Sequence, residues 1–460
     1  MTALVPLALF GWIPVVLTLY SLLPARLATG IAFAAGWCFL PMASYPLPGL
    51  PDYSKMFATA IGSLVGLAIY HPGMLTSLRP RAFDLAALTW CLCPLGSSLS
   101  NGLGVYDGVS AVVHQTITWG LPYLIGRAVY RKTEDLVPLA TSILICGVLY
   151  VPLCLWEIRM SPQLHAKLYG YHQHSFAQTV RFGGYRPTVF MQHGLQVSLW
   201  MASCFIIAFS AWWVGSMKRL RSVPMLPVVL SLGTTLILCK SLGAWFLAML
   251  AVAALMCLRQ FRIALPVTIL AFIVPLYAST RIAGVVSGES IVHVVETLVN
   301  QDKAESLQFR LVNENMLIGK AMERPIFGWG GWGRNRVRDE AGHDMTVTDG
   351  LWIITLGING LVGLISMYAM LLWGPVRILS KMKRREMTKQ PTIAVAIGLS
   401  AVCILHAVDS LPNAMVIPVF AVASGALSSA AARKRLLPER PQPARPSRTV
   451  RRSQPMVIYS

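Results

Sequence analysis

Three short stretches of the sequence bring together side chains of the kinds that bind anions and transfer protons. The first contains Arg181 and Arg186, followed by an apolar run and then by His193. An arginine guanidinium forks onto two phosphate oxygens at once, so a pair of arginines can hold a diphosphate. The alternative for these arginines is anchoring to lipid headgroups at a membrane boundary. His193 is either part of an anion site or a buried residue that only forms hydrogen bonds.

The second stretch combines an amphipathic segment with a turn rich in glycine and tryptophan. Arg310 and Glu314 are four residues apart on a helical pattern, so Arg310 either faces an anionic ligand or pairs with Glu314. Trp329, Trp332 and Arg334 follow among closely spaced glycines. Glycines let a backbone approach a ligand closely, and tryptophan faces stack on sugar rings. A tight structural turn explains the same glycines.

His343 and Asp349 form the third candidate, two proton acceptors that precede a long apolar stretch. Imidazole accepts protons near neutral pH, and a carboxylate fixed at the start of a helix is well placed to act on a hydroxyl. Position favours Asp349 as the general base, because His343 follows a glycine in a charged loop where exposure is expected. His343 is the second candidate, and the third possibility is that neither serves. The structural alternative for Asp349 is an N-cap.

The composition shows what kind of scaffold must position these residues. Of the 460 residues, 55% are hydrophobic and 13% are charged, with a mean hydropathy of +0.59. A soluble domain has about 25% charged residues, so an ordinary cytosolic enzyme is excluded. The sequence predicts an all-α, polytopic membrane protein with about 12–13 transmembrane helices. The predicted spans are 4–24, 27–47, 56–72, 83–99, 108–129, 136–156, 188–214, 224–239, 242–258, 263–279, 350–377, 393–409 and 414–431.

The distribution of basic residues predicts the sidedness of these spans. Lys and Arg concentrate at every second connection, including 79–81, 127–132, 218–221 and 381–385. The positive-inside rule places these connections in the cytoplasm and the others, with the N-terminus, outside. If the first two spans form a re-entrant pair, the count falls to about twelve and the N-terminus lies inside.

Two of the predicted outer loops, 157–187 and 280–349, are long. The second contains ten of the nineteen acidic residues and a helical pattern of apolar positions. Mixed charge on an amphipathic segment predicts a folded, partly helical external lid, and loops of this length are usually functional.

Residues 1–432 form one predicted transmembrane domain that includes both outer loops. Residues 433–460 hold eight basic residues against one acid and contain five prolines, a composition that cannot form a core. We expect a disordered cytoplasmic tail that touches anionic headgroups. The net charge of +20 therefore reflects the membrane setting, and no nucleic-acid partner is expected. The nine cysteines lie in or beside apolar stretches and are interpreted as small buried hydrophobic residues.

Motifs of nucleotide hydrolysis and metal catalysis are missing from the sequence. It contains no GxxxxGK[ST] loop, no HExxH and no DxD, so neither a metal nor another cofactor is expected. Lone ionisable residues occur near the ends of spans, among them Asp107, Lys240, His406 and Asp409. Their scatter does not form the continuous relay that a proton-coupled transporter needs.

The second and third stretches, in this order, resemble the O-antigen ligase/polymerase superfamily of bacterial inner-membrane glycan transferases. The shared order is an arginine-bearing helix, a turn with Pro, Phe and Gly-x-Gly between Ala321 and Gly330, and a span that contains Leu356-Gly357-Ile358-Asn359-Gly360. The stretch from Arg186 to His193 adds to the resemblance, which extends over residues 180–365.

One departure from the family pattern concerns the proton acceptor. The family usually has a His-Asn pair at the position of Thr346-Val347, where this sequence has neither residue type. His343 or Asp349 is then expected to take over the role, or the activity differs from that of the family.

The resemblance implies a transferase that passes a glycan from an undecaprenyl diphosphate carrier to an acceptor hydroxyl on the periplasmic side of the inner membrane. It implies diphosphate binding by Arg186, Arg310 and Arg181. Contacts with the glycan or acceptor are then expected from Trp329, Trp332, Arg334, His193 and Glu314.

The implied donor is a lipid-linked oligosaccharide, and the acceptor is a glycan, a lipid or a protein, all in contact with membrane lipids. One attack from the face opposite the leaving group predicts inversion without a metal. A transporter or flippase of a lipid-linked glycan is the alternative function. The sequence does not separate a polymerase from a ligase, nor does it identify the sugar.

The sidedness is tested by labelling single engineered cysteines with a membrane-impermeant maleimide. Positions Lys132, Arg219 and Lys383 should react only after the membrane is permeabilised, because basic connections stay in the cytoplasm. Positions His172 and Asp339 should react in intact cells. Labelling of position 383 in intact cells would overturn the scheme.

Overall fold

The described part of the chain is almost entirely helical. The computed structural model describes residues 2–214, 217–261, 265–285, 301–382 and 391–433. Among these residues the strands form three short antiparallel hairpins, so the all-α prediction is confirmed. The predictions for Lys383, for the tail after residue 433 and for part of the second outer loop, 286–300, lie outside the described residues.

The helices follow one another along the whole described chain. In the first half they are α1 (Leu4–Leu22), α2 (Ala25–Phe39), α3 (Lys55–Tyr70), α4 (Pro72–Thr76), α5 (Asp84–Ser100), α6 (Val105–Gln115), α7 (Leu121–Val129), α8 (Leu136–Met160) and α9 (Leu164–Tyr169). In the second half they are α10 (Gly194–Trp213), α11 (Met225–Leu238), α12 (Leu242–Phe261), α13 (Leu265–Ile282), α14 (Gln301–Met322), α15 (Leu351–Lys381), α16 (Pro391–Asp409) and α17 (Pro418–Ala431). The hairpins pair β1 (Ser44–Leu47) with β2 (Leu50–Ser54), β3 (Val180–Arg181) with β4 (Gly184–Tyr185), and β5 (Arg219–Leu220) with β6 (Val223–Pro224).

Seven helices of the described chain are long and apolar enough to cross a membrane. They are α1, α10, α12, α13 and α15 together with Thr133–Met160, which contains α8, and Thr392–Asp409 of α16. Four shorter apolar helices, α2, α3, α11 and α17, have 14 to 16 residues. The chain therefore has the helices of a multi-pass membrane protein. The sequence predicted more full-length spans, about 12–13, than these helices supply.

Backbone irregularities alter two of the predicted spans. The predicted span 108–129 stays helical throughout, but a turn of π-helix, Thr116–Gly120, separates the regular helices α6 and α7, and Pro122 lies at the start of α7. Proline lacks the N–H that an uninterrupted helix needs at this position. Likewise, the predicted span 27–47 ends at Phe39 because the chain enters the β1–β2 hairpin, whose strands contain two prolines. Apolar composition alone does not reveal these breaks.

The longest helix, α15, is kinked where the glycine-rich turn packs against it. Gly360 has a φ of 64°, a conformation that residues with a Cβ rarely adopt, so the helix bends there. The freed carbonyls of Gly357 and Ile358 accept hydrogen bonds from the backbone N–H groups of Trp329 and Gly330, at 2.8 and 3.0 Å. The glycines of this turn therefore have a structural role, which is the alternative that the sequence left open.

Connections that the sequence assigns to the cytoplasm lie side by side in the structure. Arg26, just after α1, forms an ion pair with Asp135 before α8, at 3.1 Å between Nε and Oδ1. Arg131 donates from Nη2 to the Ser77 hydroxyl at 2.8 Å, which joins the connections after α4 and α7. These contacts place the connections that carry Arg26, Ser77 and Arg131 near one another, while their assignment to the cytoplasm stays a prediction.

Helices α7 and α17 approach so closely that only glycine fits at their contact. A Cβ atom built on Gly126 would lie 2.1 Å from the carbonyl oxygen of Val422, and one on Gly425 would lie 2.0 Å from that of Tyr123. Small residues allow backbones to pack in this way in membrane proteins.

Replacing Gly126 with alanine should destabilise the protein by about 1–3 kcal/mol, because the added methyl group forces two backbones apart. Gly11→Ala is the matched control, since a Cβ there meets nothing within 4 Å. That change should be neutral or stabilising by up to about 1 kcal/mol from helix propensity. Thermal unfolding of the two detergent-purified variants measures the difference. Equal midpoints would contradict the packing argument.

Candidate functional site

A cavity of about 930 Å³ collects several of the charged residues identified from the sequence. Its walls come from the loop before α10, the α11–α12 junction, α14 and the segments that precede α15 and follow α16. We call it the cationic cavity. The charged side chains on its lining are Arg181, Arg186, Lys240, Arg310, Asp349 and Asp409. Four cations against two carboxylates make it suited to an anionic ligand.

Arg186 is the most deeply buried of these cations. Its residue is 7% exposed, and its Nη2 donates to the backbone carbonyl of Lys240 at 2.9 Å. The buried Nε has no hydrogen-bond partner among the described residues. Burial, and next the charge of Arg181, lower the pKa of the Arg186 guanidinium. A buried cation with an unused donor is costly unless a ligand completes it.

Lys240 is a functional candidate that the sequence analysis left among the scattered ionisable residues. It joins α11 to α12 with a φ of 52°, so its carbonyl turns toward Arg186 and its side chain toward the β3–β4 hairpin. There the Nζ donates to the carbonyl of Phe182 at 3.3 Å. This bond fixes the hairpin that carries Arg181. A lone lysine between two apolar helices was the available signal.

The turn that carries the chain from Arg186 to His193 is held by buried charges. Glu157 is fully buried, and its Oε2 accepts the backbone N–H groups of Thr188 and Val189, each at 2.8 Å. From another side the buried Lys55 donates to the carbonyl of Phe190 at 3.3 Å. These bonds stabilise the turn even though Val189 has a positive φ of 47°. The predicted span 188–214 therefore begins as a helix only at Gly194.

His193 combines the two roles that the sequence analysis weighed against each other. Its Nδ1 accepts the backbone N–H of Leu195 at 3.0 Å and so caps α10, while Nε2 lies 3.1 Å from the side-chain oxygen of Gln178. The ring also lines the cationic cavity. Burial first, and then the neighbouring His174 and the arginines, lower the pKa of His193 to about 4. A neutral imidazole is therefore present at pH 7, with its hydrogen on Nε2.

Arg310 and Asp349 form an ion pair on the cavity wall, with 3.4 Å between Nε and Oδ2. Their side chains are 45% and 41% exposed, so both remain accessible to a ligand. The pair also borders a second cavity of about 190 Å³, which we call the small cavity. The structural alternatives for both residues are wrong. Arg310 pairs with Asp349 and not with Glu314, and the N-cap residue of α15 is Gly350 and not Asp349.

Glu314 lines the small cavity and is already bound by three side chains. It accepts hydrogen bonds from the Tyr277 hydroxyl at 2.7 Å and from the Trp352 indole at 3.2 Å. It also forms an ion pair with Arg281 at 3.3 Å, and the Arg281 side chain is 1% exposed. These bonds tie α13, α14 and α15 together. Glu314 thus positions Arg310, one helical turn earlier, and its predicted contact with a glycan stays a prediction.

Asn313 holds the segment that leads to Asp349. Its side-chain oxygen accepts the backbone N–H of Val347 at 2.9 Å, and its amide donates to the carbonyl of Phe309 at 2.7 Å. The side chain is buried, so both bonds are sheltered from water. Asn313 therefore joins the helix of Arg310 to the segment that leads to Asp349, a role that no sequence motif signalled.

Four predicted site residues do not line either cavity. Trp329 donates its indole N–H to the carbonyl of Lys320 at 2.7 Å, and the Lys320 ammonium lies 3.9 Å from the ring centre. Trp332 is 72% exposed, Arg334 is also exposed, and the His343 side chain is 81% exposed. The glycan contacts proposed for Trp329, Trp332 and Arg334 stay predictions. The position of His343 outside the cavities favours Asp349 as the proton acceptor.

No protein-family model matches the chain, and no curated protein sequence is significantly similar to it. Within the described residues, no group of three or more His, Cys, Asp and Glu side chains has the arrangement of a metal site. The family resemblance therefore remains an expectation from the motifs, and the functional argument rests on the geometry of the cationic cavity.

The lowered pKa of His193 predicts a pH dependence of stability. The unfolded chain takes up a proton near pH 6.5, whereas the folded chain does so only near pH 4, so the free energy of unfolding falls as the pH falls through this window. His193→Asn keeps an N-cap but cannot titrate. Its unfolding midpoint should therefore decrease less between pH 7 and 4.5 than that of the wild type. His172→Asn, an exposed position, is the control. Identical pH profiles of His193→Asn and the wild type would contradict the lowered pKa of His193.

Proposed function

We propose that the protein transfers or polymerises an undecaprenyl-diphosphate-linked glycan onto an acceptor hydroxyl at the periplasmic face of the bacterial inner membrane. The observation that carries the proposal is that Arg186, Arg310 and Asp349 line one cavity although they come from distant parts of the chain. Cations suited to a diphosphate and a carboxylate suited to a hydroxyl thus line the same cavity.

The donor diphosphate is bound by the cations of the cationic cavity. Arg186 offers a buried guanidinium with an unused Nε, and Arg310 offers a second guanidinium from α14. Lys240 and Arg181, which lie next to Arg186, add positive charge to the same lining. Because water is largely excluded around Arg186, its interaction with phosphate oxygens is stronger than at a surface. The cations stabilise the negative charge that develops on the departing diphosphate.

Asp349 acts on the acceptor. The acceptor oxygen attacks the anomeric carbon, the bond from that carbon to the diphosphate oxygen breaks, and its electron pair leaves with the lipid diphosphate. The proton of the acceptor hydroxyl passes to the Asp349 carboxylate. A single displacement inverts the anomeric centre, and the second carboxylate on the cavity, Asp409, is buried and receives the amide of Asn413 at 3.0 Å.

The two cavities suggest how donor and acceptor are kept apart. The Arg310–Asp349 pair borders both of them, so a diphosphate in the cationic cavity and a hydroxyl in the small cavity meet at this pair. The small cavity is walled mainly by apolar side chains, including Leu311 and Ile353. We propose that the acceptor hydroxyl approaches from this side, next to Asp349.

A transporter or flippase of a lipid-linked glycan is the second candidate. Buried ionisable residues favour it, since Asp409 lines the cavity from α16 and His406, one turn earlier, is 1% exposed. A flippase would move the diphosphate across the membrane without breaking a bond. The two functions therefore differ in which face of the membrane accumulates the lipid-linked glycan after the gene is deleted.

Gene deletion followed by lipid extraction tests the proposal. A transferase predicts lipid-linked glycan that accumulates on the periplasmic face, unextended for a polymerase and extended but untransferred for a ligase. Accumulation on the cytoplasmic face would support the flippase and contradict transfer. Activity of the purified protein should be unaffected by EDTA, and dependence on added divalent ions would count against the mechanism.

Variants then assign the roles. Arg186→Lys and Arg310→Lys keep the charge but lose the planar fork, and each should lower turnover by at least about tenfold, roughly 1.4 kcal/mol, with normal membrane insertion. Asp349→Asn removes the proton acceptor and should lower it by about 100-fold or more. Arg338→Lys and Glu340→Gln are matched controls on exposed positions of the same outer segment. Full activity of Asp349→Asn with loss in His343→Ala would make the histidine the base.

A further inference from the structure

A second cluster of cations lies far from the cationic cavity. Arginines from three parts of the chain line a cavity of about 490 Å³, which we call the arginine cavity. Its arginines are Arg79, Arg81, Arg127, Arg131 and Arg433. Helix α15 links the two sites, since it begins beside Asp349 and ends at Lys381, whose Nζ donates to the carbonyl of Arg433 at 2.8 Å. The arginine cavity is therefore at the opposite end of the bundle, among the basic connections.

Arg127 forms the buried floor of this cavity. Its residue is 3% exposed, its Nη1 is bonded to Asp84 and its Nη2 donates to the carbonyl of Arg79 at 2.9 Å. The Nε is buried and has no hydrogen-bond partner in the described part of the chain. Phe83 lies against the guanidinium, 4.7 Å from its carbon to the ring centre. The cavity thus contains a rigid guanidinium with donor capacity left over.

Arg131 fixes the loop that carries the exposed arginines. It donates to the carbonyl of Met74 at 2.5 Å and to the hydroxyl of Ser77 at 2.8 Å, which holds the connection between α4 and α5 against the end of α7. Arg79 and Arg81 stand on this connection and are exposed. Neither of them, nor Arg433, forms an ion pair among the described residues. Among the described residues Asp84 is the one acid that forms an ion pair with these arginines, so the five arginines exceed it by four positive charges.

The surface next to the arginine cavity is apolar. Helix α5 starts at Asp84 and exposes Leu85, Leu88 and Leu92, which are 62%, 54% and 47% accessible. Their spacing of three and four residues puts them on one face of the helix. A charged pocket next to an exposed stripe of leucines matches the two parts of a phospholipid. The pocket suits the phosphate, and the leucines suit the acyl chains.

We propose that the arginine cavity binds the phosphate of an anionic membrane lipid, with the acyl chains on the leucine stripe of α5. Guanidinium forks from Arg79 and Arg81 clamp the phosphate over the buried Arg127. The site is independent of glycan transfer, because it shares no residue with the cationic or the small cavity. The bound lipid joins the α4–α5 connection to Arg433, two residues after the end of α17.

Native mass spectrometry and thermal unfolding of the purified full-length protein test the site. Wild-type protein and the variant Arg79→Gln/Arg81→Gln are compared in detergent with added phosphatidylglycerol, phosphatidylcholine or inorganic phosphate. The double variant spares the buried Arg127 and should therefore fold. The wild type should retain phosphatidylglycerol and unfold at a higher temperature with it than with phosphatidylcholine. The double variant should bind phosphatidylglycerol about tenfold more weakly, equivalent to roughly 1.4 kcal/mol.

The matched control removes the same number of charges elsewhere on the same predicted side. Arg219→Gln/Arg221→Gln changes two arginines of the β5–β6 hairpin, which are also exposed and also two positions apart in the sequence. It should retain phosphatidylglycerol as the wild type does. Equal losses in both double variants would reduce the effect to general surface charge and overturn the site. Stabilisation of the wild type by inorganic phosphate, without any difference between the lipids, would overturn the lipid assignment.

Discussion

Burial of charge away from water is the constraint on which the structure of the candidate site depends. In an apolar surrounding each buried ionic group must find its partners within the protein. Glu157 does so with the backbone N–H groups of the turn after Arg186, and Glu314 does so with Arg281, Tyr277 and Trp352. Since these bonds have few alternatives, they fix the backbone on both sides of the cationic cavity.

Buried arginines whose hydrogen bonding is incomplete mark the candidate anion sites. Arg186 and Arg127 are both almost fully buried, and each has an Nε without a partner among the described residues. Both line cavities with a surplus of positive charge, one at each end of α15.

Helix irregularities supply the geometry that regular spans would not. The kink of α15 at Gly360 frees backbone carbonyls, which accept hydrogen bonds from the turn at Trp329. These bonds attach the segment after α14 to α15. The left-handed conformation of Lys240 directs its carbonyl to Arg186 and its ammonium to the β3–β4 hairpin. In both places backbone that has left the helical conformation holds two segments of the chain together.

The sequence by itself determined the helical membrane class, because apolar stretches of spanning length are a local property of composition. It also identified Arg186, Arg310, Asp349 and His193 as candidates, because charged residues next to apolar spans are rare. Only the tertiary structure decided which candidates share a cavity, which alternatives for Arg310 and Asp349 fail, and that Lys240 joins them. It also decided where spans depart from regular α-helix, as at Thr116–Gly120. Contacts between residues more than a hundred positions apart depend on the packing of whole helices, and no local pattern of residues records that packing.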